Sequence, residues 1–389
     1  MATNVYGTGT NSTAGANTIT HYYDKAGIRS ANAVAVYGQW ADRKSMPLKM
    51  GKNYKISKFL HIFDRETGDA DFAAKGYLSS RNITDVSTGL TNDTALAEGA
   101  GAVNKRSIKK VTFTTEFARY GEMIDYTDEV EMFSEDAIQV KYREELGLLA
   151  NRRAEDLIQL DMLGTANKMY ANDEAVATDL GTGILADDTN AADFKVSYDL
   201  IRKASRKLVR NRAKHSTSIV SGSTKIDTRT VNKAFYAIVG PEVKYDLDSL
   251  TRGAGNAEEI AFVPSYKYAA ASNMAEGEFG QMHDVRFIES ESAVVRVGAG
   301  AAIPGSYAGA LSNNGVNFDV FPILFPTAGS FATVGLKGHG KIKFNSQSPA
   351  VVELGNPYGT QGFFSYNMWY AGIILDETKL LEVDVLATA

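Results

Sequence analysis

The residue patterns that could do chemistry are few, and each is spaced poorly for it. Residues 335–342 read GLKGHGKI and satisfy the G-x-x-x-x-G-K spacing of a phosphate loop. Ile342 stands where a magnesium-binding hydroxyl is needed, and Lys343 to Ser346 alternate like a strand. A phosphate loop must instead open a helix whose N-terminal N–H groups meet the anion. A glycine-rich turn into a strand fits better, and Gly298, Gly300 and Gly305 also read as a turn. The five histidines, His21, His61, His215, His283 and His339, never stand three or four residues apart, and neither H-E-x-x-H nor G-x-S-x-G occurs. Glu289 and Glu291 would share one face of a strand, where paired acids are far more often solvated than an acid/base dyad. Zero Cys excludes thiol catalysis, disulfides and Cys-ligated zinc or iron–sulfur centres. The sequence therefore points to no catalytic residue, no cofactor and no metal, and argues for no enzyme.

A different chemistry, that of charge, is concentrated in one segment. Ser197 caps a helix expected to run to about Arg212, and Arg202, Lys203, Arg206, Lys207, Arg210, Arg212 and Lys214 follow with no acid among them. Leu200, Ile201, Ala204, Leu208 and Val209 supply its apolar stripe. Such a face meets nucleic acid or an acidic partner chain, or is simply solvated. Phosphate contacts made there would be independent of base sequence and sensitive to salt.

The rest of the composition is ordinary. The 389 residues carry 41 Lys+Arg against 46 Asp+Glu, a net charge of -5, so the chain does not bind nucleic acid through an overall basic surface. With 44% hydrophobic and 22% charged residues it reads as soluble and of mixed α and β structure, in about two or three domains. The weakly polar run Phe321 to Leu336 is interrupted by Pro322, Pro326 and Gly329 and is shorter than the ~20 residues of a membrane span. The first twenty residues show neither the basic nor the apolar region of a secretory leader. The sequons at Asn11, Asn82 and Asn92 are then chance occurrences.

Residues 1–20 are Thr, Asn, Gly, Ser and Ala with little to bury, an arm expected to order only against something else. A weakly amphipathic stretch from His21 to Trp40 predicts a helix. Two period-2 strands follow, Tyr54 to Ile62 and Val111 to Phe117, far apart in sequence. The residues between them, Asp64 to Lys110, are rich in Gly, Ser, Thr, Asn and Asp. Either those strand assignments fail, or the two are arms of a long hairpin that needs a partner to lie on.

The strongest helix is expected from Glu135, capped by Ser134, to about Met169, some 50 Å at 1.5 Å per residue. Its apolar stripe is Ile138, Tyr142, Leu146, Leu149, Leu157, Leu160 and Leu163. Beyond the basic helix come a strand at Ser218 to Ser221 and helical patterns at Val231 to Val239 and after Pro241. Strands are expected at Asp284 to Glu289, Ala293 to Val297, Lys341 to Phe344 and Tyr366 to Leu375. The ending LLEVDVLA alternates and closes the chain in a sheet.

Taken in order, these segments resemble a known family. MPLKMGKNYKISKFLHIF (46–63), LAEGAGAVNKRSIKKVTFTTEFARYGEMIDYTDEV (96–130), ELGLLANRRAEDLIQLDML (145–163), HDVRFIESESAVV (283–295) and FFSYNMWYAGIILDETKLLEVDV (363–385) are similar to passages of the major capsid proteins of schitovirus-type short-tailed phages. The resemblance implies an α+β chain with the Hong Kong 97-type capsid fold. The expected parts are an N-terminal arm with a short helix (1–45), an extended β-hairpin loop (46–125) and a peripheral domain with a spine helix (126–192). An axial domain (193–282) and closing strands shared by both domains (283–389) complete it. It implies self-assembly as hexamers and pentamers around packaged double-stranded DNA, in a virion capsid built in the bacterial host cytoplasm. Portal, scaffolding and decoration proteins are the other expected partners, and no membrane is. Arg65, Glu66, Asp69, Lys75 and Arg81 are the candidate loop contacts between subunits; Arg202, Lys203, Arg206, Lys207 and Arg210 are those of the basic helix, to DNA or a subunit. A bacterial nanocompartment shell enclosing a cargo enzyme is the alternative with the same fold.

Overall fold

Two architectural themes, a long helix laid on a small sheet and a large mixed sheet buried on both faces, account for most of the chain. The computed structural model describes residues 36–59, 98, 110–133, 138–188, 190–220, 228–250, 262–268, 274–337, 342–352 and 355–389. All of these fall in one compact unit, Val34–Ala389, and Met1–Ala33 lie outside the described residues. The arm therefore lies outside them, as does most of the helix expected over His21 to Trp40. The last residues of that stretch form a buried 3-10 turn, Tyr37–Gln39.

In chain order the elements are strands β1 (Asp42–Met46), β2 (Asn53–Phe59), β3 (Lys110–Glu116) and β4 (Ala118–Thr127), then helices α1 (Asp128–Phe133) and α2 (Ile138–Met162). Next come β5 (Lys168–Tyr170), helix α3 (Tyr198–Arg210), β6 (Ser216–Val220), β7 (Thr228–Val239) and helix α4 (Pro241–Asp248). Strands β8 (Val263–Pro264), β9 (Glu278–Met282), β10 (Val285–Glu289), β11 (Phe321–Phe325) and β12 (Phe331–Leu336) follow. The chain closes with β13 (Ile342–Gln347), β14 (Gln361–Tyr370), β15 (Gly372–Ile374) and β16 (Leu381–Val385). The large sheet has the order β5-β16-β11-β7-β10-β9-β8, with β6 paired to β7; β13-β14-β4 and β1-β12-β15 are three-stranded, and β2-β3 stands as a pair.

Helix α2 is shorter than the sequence predicts: 25 residues, ~37 Å. It ends at Met162 rather than Met169 because the chain turns at Gly164 and Thr165. Lys168–Tyr170 then leave as a strand, parallel to Glu382–Asp384. The expected cap, Ser134, lies outside the described residues. The buried stripe also differs. Leu146, Ala150, Ala154, Ile158 and Met162, four apart, face inward, whereas Leu160 is 56% exposed. Against Phe364, Tyr366 and Met368 of β14 the two alanines allow a close approach that larger side chains would prevent. A stripe traced through leucines alone passes over them.

The largest correction is β7, read as helix over Val231 to Val239. Phe235 to Val239 are all buried, with the large sheet's core on both sides. A strand covered on both faces loses its period-2 signal and becomes a continuous apolar run, which periodicity cannot tell from buried helix. Ala293 to Val297 is likewise not a strand; Arg296 makes a single bridge to Val320. The strands expected near 284–289, 341–344 and 366–375 are present as β10, β13 and β14 with β15.

One turn is set by glycine. Gly181 has φ +93, and a Cβ there would lie 2.6 Å from Cδ2 of Phe318, a buried residue stacked edge-on with Tyr307. Gly181→Ala is therefore expected to cost about 1–3 kcal/mol, combining backbone strain with overpacking. A urea midpoint equal to that of the parent chain would show that this turn relaxes freely. No helix among the described residues is long and apolar enough to cross a membrane.

Candidate assembly surfaces

The two distant strands of the sequence do pair. β2 and β3 run antiparallel in full register from Asn53↔Glu116 to Phe59↔Lys110. One face of the pair docks on the body: Tyr54, Ile56 and Phe113 pack on Met46, Phe117, Ala332, Val334, Ala371 and Ile373. On the same face Thr115 Oγ1 donates to the Gly372 carbonyl at 2.8 Å, and the Lys58 ammonium pairs with Asp376. Burial alone would push the Asp376 carboxyl up, but hydrogen bonds from Lys58 and Thr378 outweigh it and hold the group below its ordinary value. The hairpin base is thus a fixed mount. Lys58→Met removes the polar tie and keeps the apolar stem, so faster amide exchange across β2 and β3 is expected with the cores unchanged. The connecting residues, and with them Arg65, Glu66, Asp69, Lys75 and Arg81, lie outside the described residues.

The segment just after the arm is also anchored. The Glu155 carboxylate of α2 accepts the N–H groups of Tyr37 (2.8 Å) and Gly38 (3.0 Å), and Gln159 bonds the Tyr37 hydroxyl at 2.7 Å. The Trp40 ring packs against that of Tyr236 of β7, tilted by 32° with ring centres 4.3 Å apart. Helix α2 thereby carries the three-stranded sheet along one side and the chain's N-terminal entry on another.

Helix α3 forms as predicted at its start, where the Ser197 side chain accepts the Leu200 N–H at 3.2 Å. It ends at Arg210 rather than Arg212. Its five candidate residues separate into two kinds. Lys203 reaches Asp173 at 2.6 Å and Asp199 at 3.3 Å, and the first of these hydrogen bonds raises its pKa. Lys207 donates to the Lys168 carbonyl at 3.2 Å. Both lysines are thus engaged by this chain's own fold. Arg202, Arg206 and Arg210 are exposed, one turn apart along a single ridge, with the Arg202 guanidinium 5.6 Å from the Tyr198 ring centre. Asp173, thirty residues away in sequence, could not be placed there by spacing.

A charge cluster that the alternating ending concealed lies at the other side of the large sheet. Glu382 and Asp384 on β16 are fully buried, although polar residues in an alternating strand ordinarily face water. Arg296 grips both Asp384 oxygens at 2.9 Å and also pairs with Glu382, which Lys168 reaches at 3.2 Å. The cluster joins β5, β16 and the loop after β10 around the closing strand.

Among the described residues none of the enzyme-like patterns gains a partner set; His21, His61 and His339 lie outside them. The glycine-rich stretch links β12 to β13, two strands. Glu289 pairs with Lys244 rather than with Glu291. His215 and His283 flank Asp284 at 3.7 and 3.6 Å, and among the described residues no group of three or more His, Asp or Glu could hold a metal.

A docked hairpin base, a long helix on a three-stranded sheet, and a mixed α/β body make up a Hong Kong 97-type fold. No family model matches the chain. The chain is 30% identical over 382 residues to the major capsid protein of Pseudomonas phage KPP21, covering 94% of this chain and 92% of that one. It belongs to the phage major capsid proteins. Two solved structures share its fold at low identity. The capsid of Ralstonia phage GP4 matches with TM-score 0.57 and 10% identity over 98% of this chain and 99% of that one. The capsid of cyanophage P-SCSP1u matches with TM-score 0.52 and 11% identity over 94% and 93%. The protein is a component of the virion capsid.

Proposed function

We propose that this major capsid protein assembles as hexamers and pentamers into an icosahedral shell around the double-stranded DNA of a schitovirus-type tailed phage. The observation that carries the reading is the β2–β3 pair, a hairpin rooted on the body whose long connecting segment, rich in small and polar residues, offers little to a core of its own. Assembly in the host cytoplasm, with portal, scaffolding and decoration proteins as partners, belongs to the same proposal. So does the division into arm, extended loop, peripheral domain around α2 and axial domain around the large sheet. The nanocompartment alternative is disfavoured because the near-full-length relative is a phage capsid protein. Expression of the full chain alone or with the phage's other head proteins, followed by negative-stain microscopy, tests the reading: closed particles support it, and a persistent monomer at high concentration refutes it.

Within that shell the Arg202, Arg206 and Arg210 ridge is proposed to meet DNA phosphates, the three guanidiniums being the ones the fold leaves outward. Each phosphate neutralised contributes about -0.9 to the slope of log K against log salt for duplex DNA. An Arg202→Ala/Arg206→Ala/Arg210→Ala chain is expected to form shells that package less DNA, or to release it at lower salt. Packaging indistinguishable from the parent would remove any DNA role for this helix.

A further inference from the structure

The sequence contains a single Asn-Gly pair, Asn314–Gly315, and the fold sets it at the tip of a turn. Asn313 and Phe318 bridge as antiparallel partners below it, and the Asn314 N–H donates to the Asn317 carbonyl at 3.1 Å across it. Asn314, Gly315 and Val316 are all exposed, so water has access to this turn. The Asn314 Oδ1 accepts the N–H groups of Val316 at 2.9 Å and Asn317 at 2.8 Å. Negative charge gathers on such an oxygen when a nucleophile adds to Cγ, and donors already aimed at it stabilise that charge without reorganising. The main-chain nitrogen of Gly315 is placed by the covalent chain to close a ring on Cγ, and no Cβ hinders its approach. Gly315 has φ +86, where other residues are strained, so the turn itself calls for glycine here. The amide nitrogen lies against Gly298, where a Cβ would collide with Nδ2. One contact opposes reaction: the Gly315 N–H donates to Asn313 Oδ1 at 3.0 Å and must be released before its nitrogen can attack.

We infer that Asn314 is a site of spontaneous deamidation in the folded chain. Solvent hydroxide takes the Gly315 N–H proton, and the nitrogen attacks Asn314 Cγ. The bond from Cγ to Nδ2 breaks as Nδ2 takes a proton from water and leaves as ammonia, and a succinimide ring remains. Water then adds to either ring carbonyl and opens the ring to aspartate or to isoaspartate. The net change is one water consumed and one ammonium released as the new carboxyl ionises, which adds a negative charge to the turn.

The two products differ in what they do to the fold. Aspartate keeps an oxygen in place for the Val316 and Asn317 N–H groups, whereas isoaspartate lengthens the main chain inside the turn. That turn closes a ladder in which the Ile303 N–H donates to the Val316 carbonyl at 2.9 Å and the Phe318 N–H to the Ala301 carbonyl at 3.0 Å. The ladder runs down to the Arg296–Val320 bridge, and Arg296 holds the buried Glu382 and Asp384. The isoaspartate form is therefore expected to loosen the loop that presents Arg296 to the closing strand.

Purified full chain kept in mildly alkaline buffer and followed by peptide mapping tests this. Conversion at Asn314 is expected to be at least about tenfold faster than at Asn313 or Asn317, a barrier lower by ~1.4 kcal/mol. Asn313→Ala frees the Gly315 N–H and should speed the conversion, and Asn314→Gln should remove most of the mass gain. In the isoaspartate fraction, separated by chromatography, faster amide exchange is expected at Ile303 and Phe318. An Asn314 that stays intact in the folded chain overturns the inference, conversion in urea then showing that the turn shields it. Equal rates at the three asparagines overturn it as well. Slower conversion in Asn313→Ala would overturn the role given to the Gly315 N–H, and unchanged exchange in the isoaspartate fraction the link to the ladder.

Discussion

A chain lacking residues 65–108 is expected to fold and to form no shells. The reason is where the apolar surface lies. The deleted range is rich in Gly, Ser, Thr, Asn and Asp with few large apolar residues, and the mount of the hairpin, Tyr54, Ile56 and Phe113 on Ala332, Val334 and Ile373, lies outside it. Seven register pairs of β2 and β3 also remain. Thermal unfolding of the shortened chain should therefore stay close to that of the intact subunit. On the proposed function, what is lost is the surface for neighbours. A shell draws its stability from many interfaces repeated by symmetry, so removing one contact per subunit removes it from every position at once. Sedimentation of the shortened chain at concentrations where the parent forms particles should show one slow species. Normal particles would show that the segment is dispensable, and a chain that fails to fold would place part of the core inside it.

Arg296→Met is expected to destabilise the subunit by about 3–5 kcal/mol, the cost of leaving buried charge without its partner. Glu382 and Asp384 would keep only Lys168, and one carboxylate would lose its bidentate contact. Urea unfolding reads this directly as a lowered midpoint at unchanged slope. Adding Glu382→Gln and Asp384→Asn should recover much of the loss, since the desolvated charges go with their partner. A single-variant loss within the error of the parent midpoint would show that water reaches the cluster.

The same site predicts a pH dependence. Burial first, and then the charge of Glu382, push the Asp384 carboxyl up from its ordinary 3.8 to about 7, against the pull of Arg296 and Lys168. The folded chain then holds a proton that the unfolded chain has released, so this group's contribution to stability declines as pH rises from about 4 to about 7. Asp384→Asn carries no titrating group and should flatten that part of the curve. The Arg296→Met loss should also be larger at pH 8 than at pH 5. Parallel stability curves for the parent and Asp384→Asn across that range would refute the shift.

The residues that could be read without a structure are those whose signal is local. Ser197 is followed by a stripe with helical spacing, and the helix starts there. Tyr54/Ile56 and Val111/Phe113 alternate, and both segments are strands. Where neighbours decide, local signal fails. Phe235 to Val239 form a strand because the large sheet covers both their faces. Glu382 and Asp384 are buried because Lys168 and Arg296 reach them from 214 and 88 residues away. Lys203 and Lys207 look equal to their arginine neighbours until Asp173 and the Lys168 carbonyl claim them.

By its sequence alone this protein resembles a shell-forming family in five passages, and a polar beginning, two alternating strands far apart, one long amphipathic helix and an alternating close stand in the order that resemblance implies. Order and periodicity are properties of the chain itself and need no neighbour to be seen. Which strands lie side by side, which charges are buried and which are left outward for another molecule were decided only by tertiary packing. Burial and Coulomb interaction depend on distance in space, which residue number does not carry.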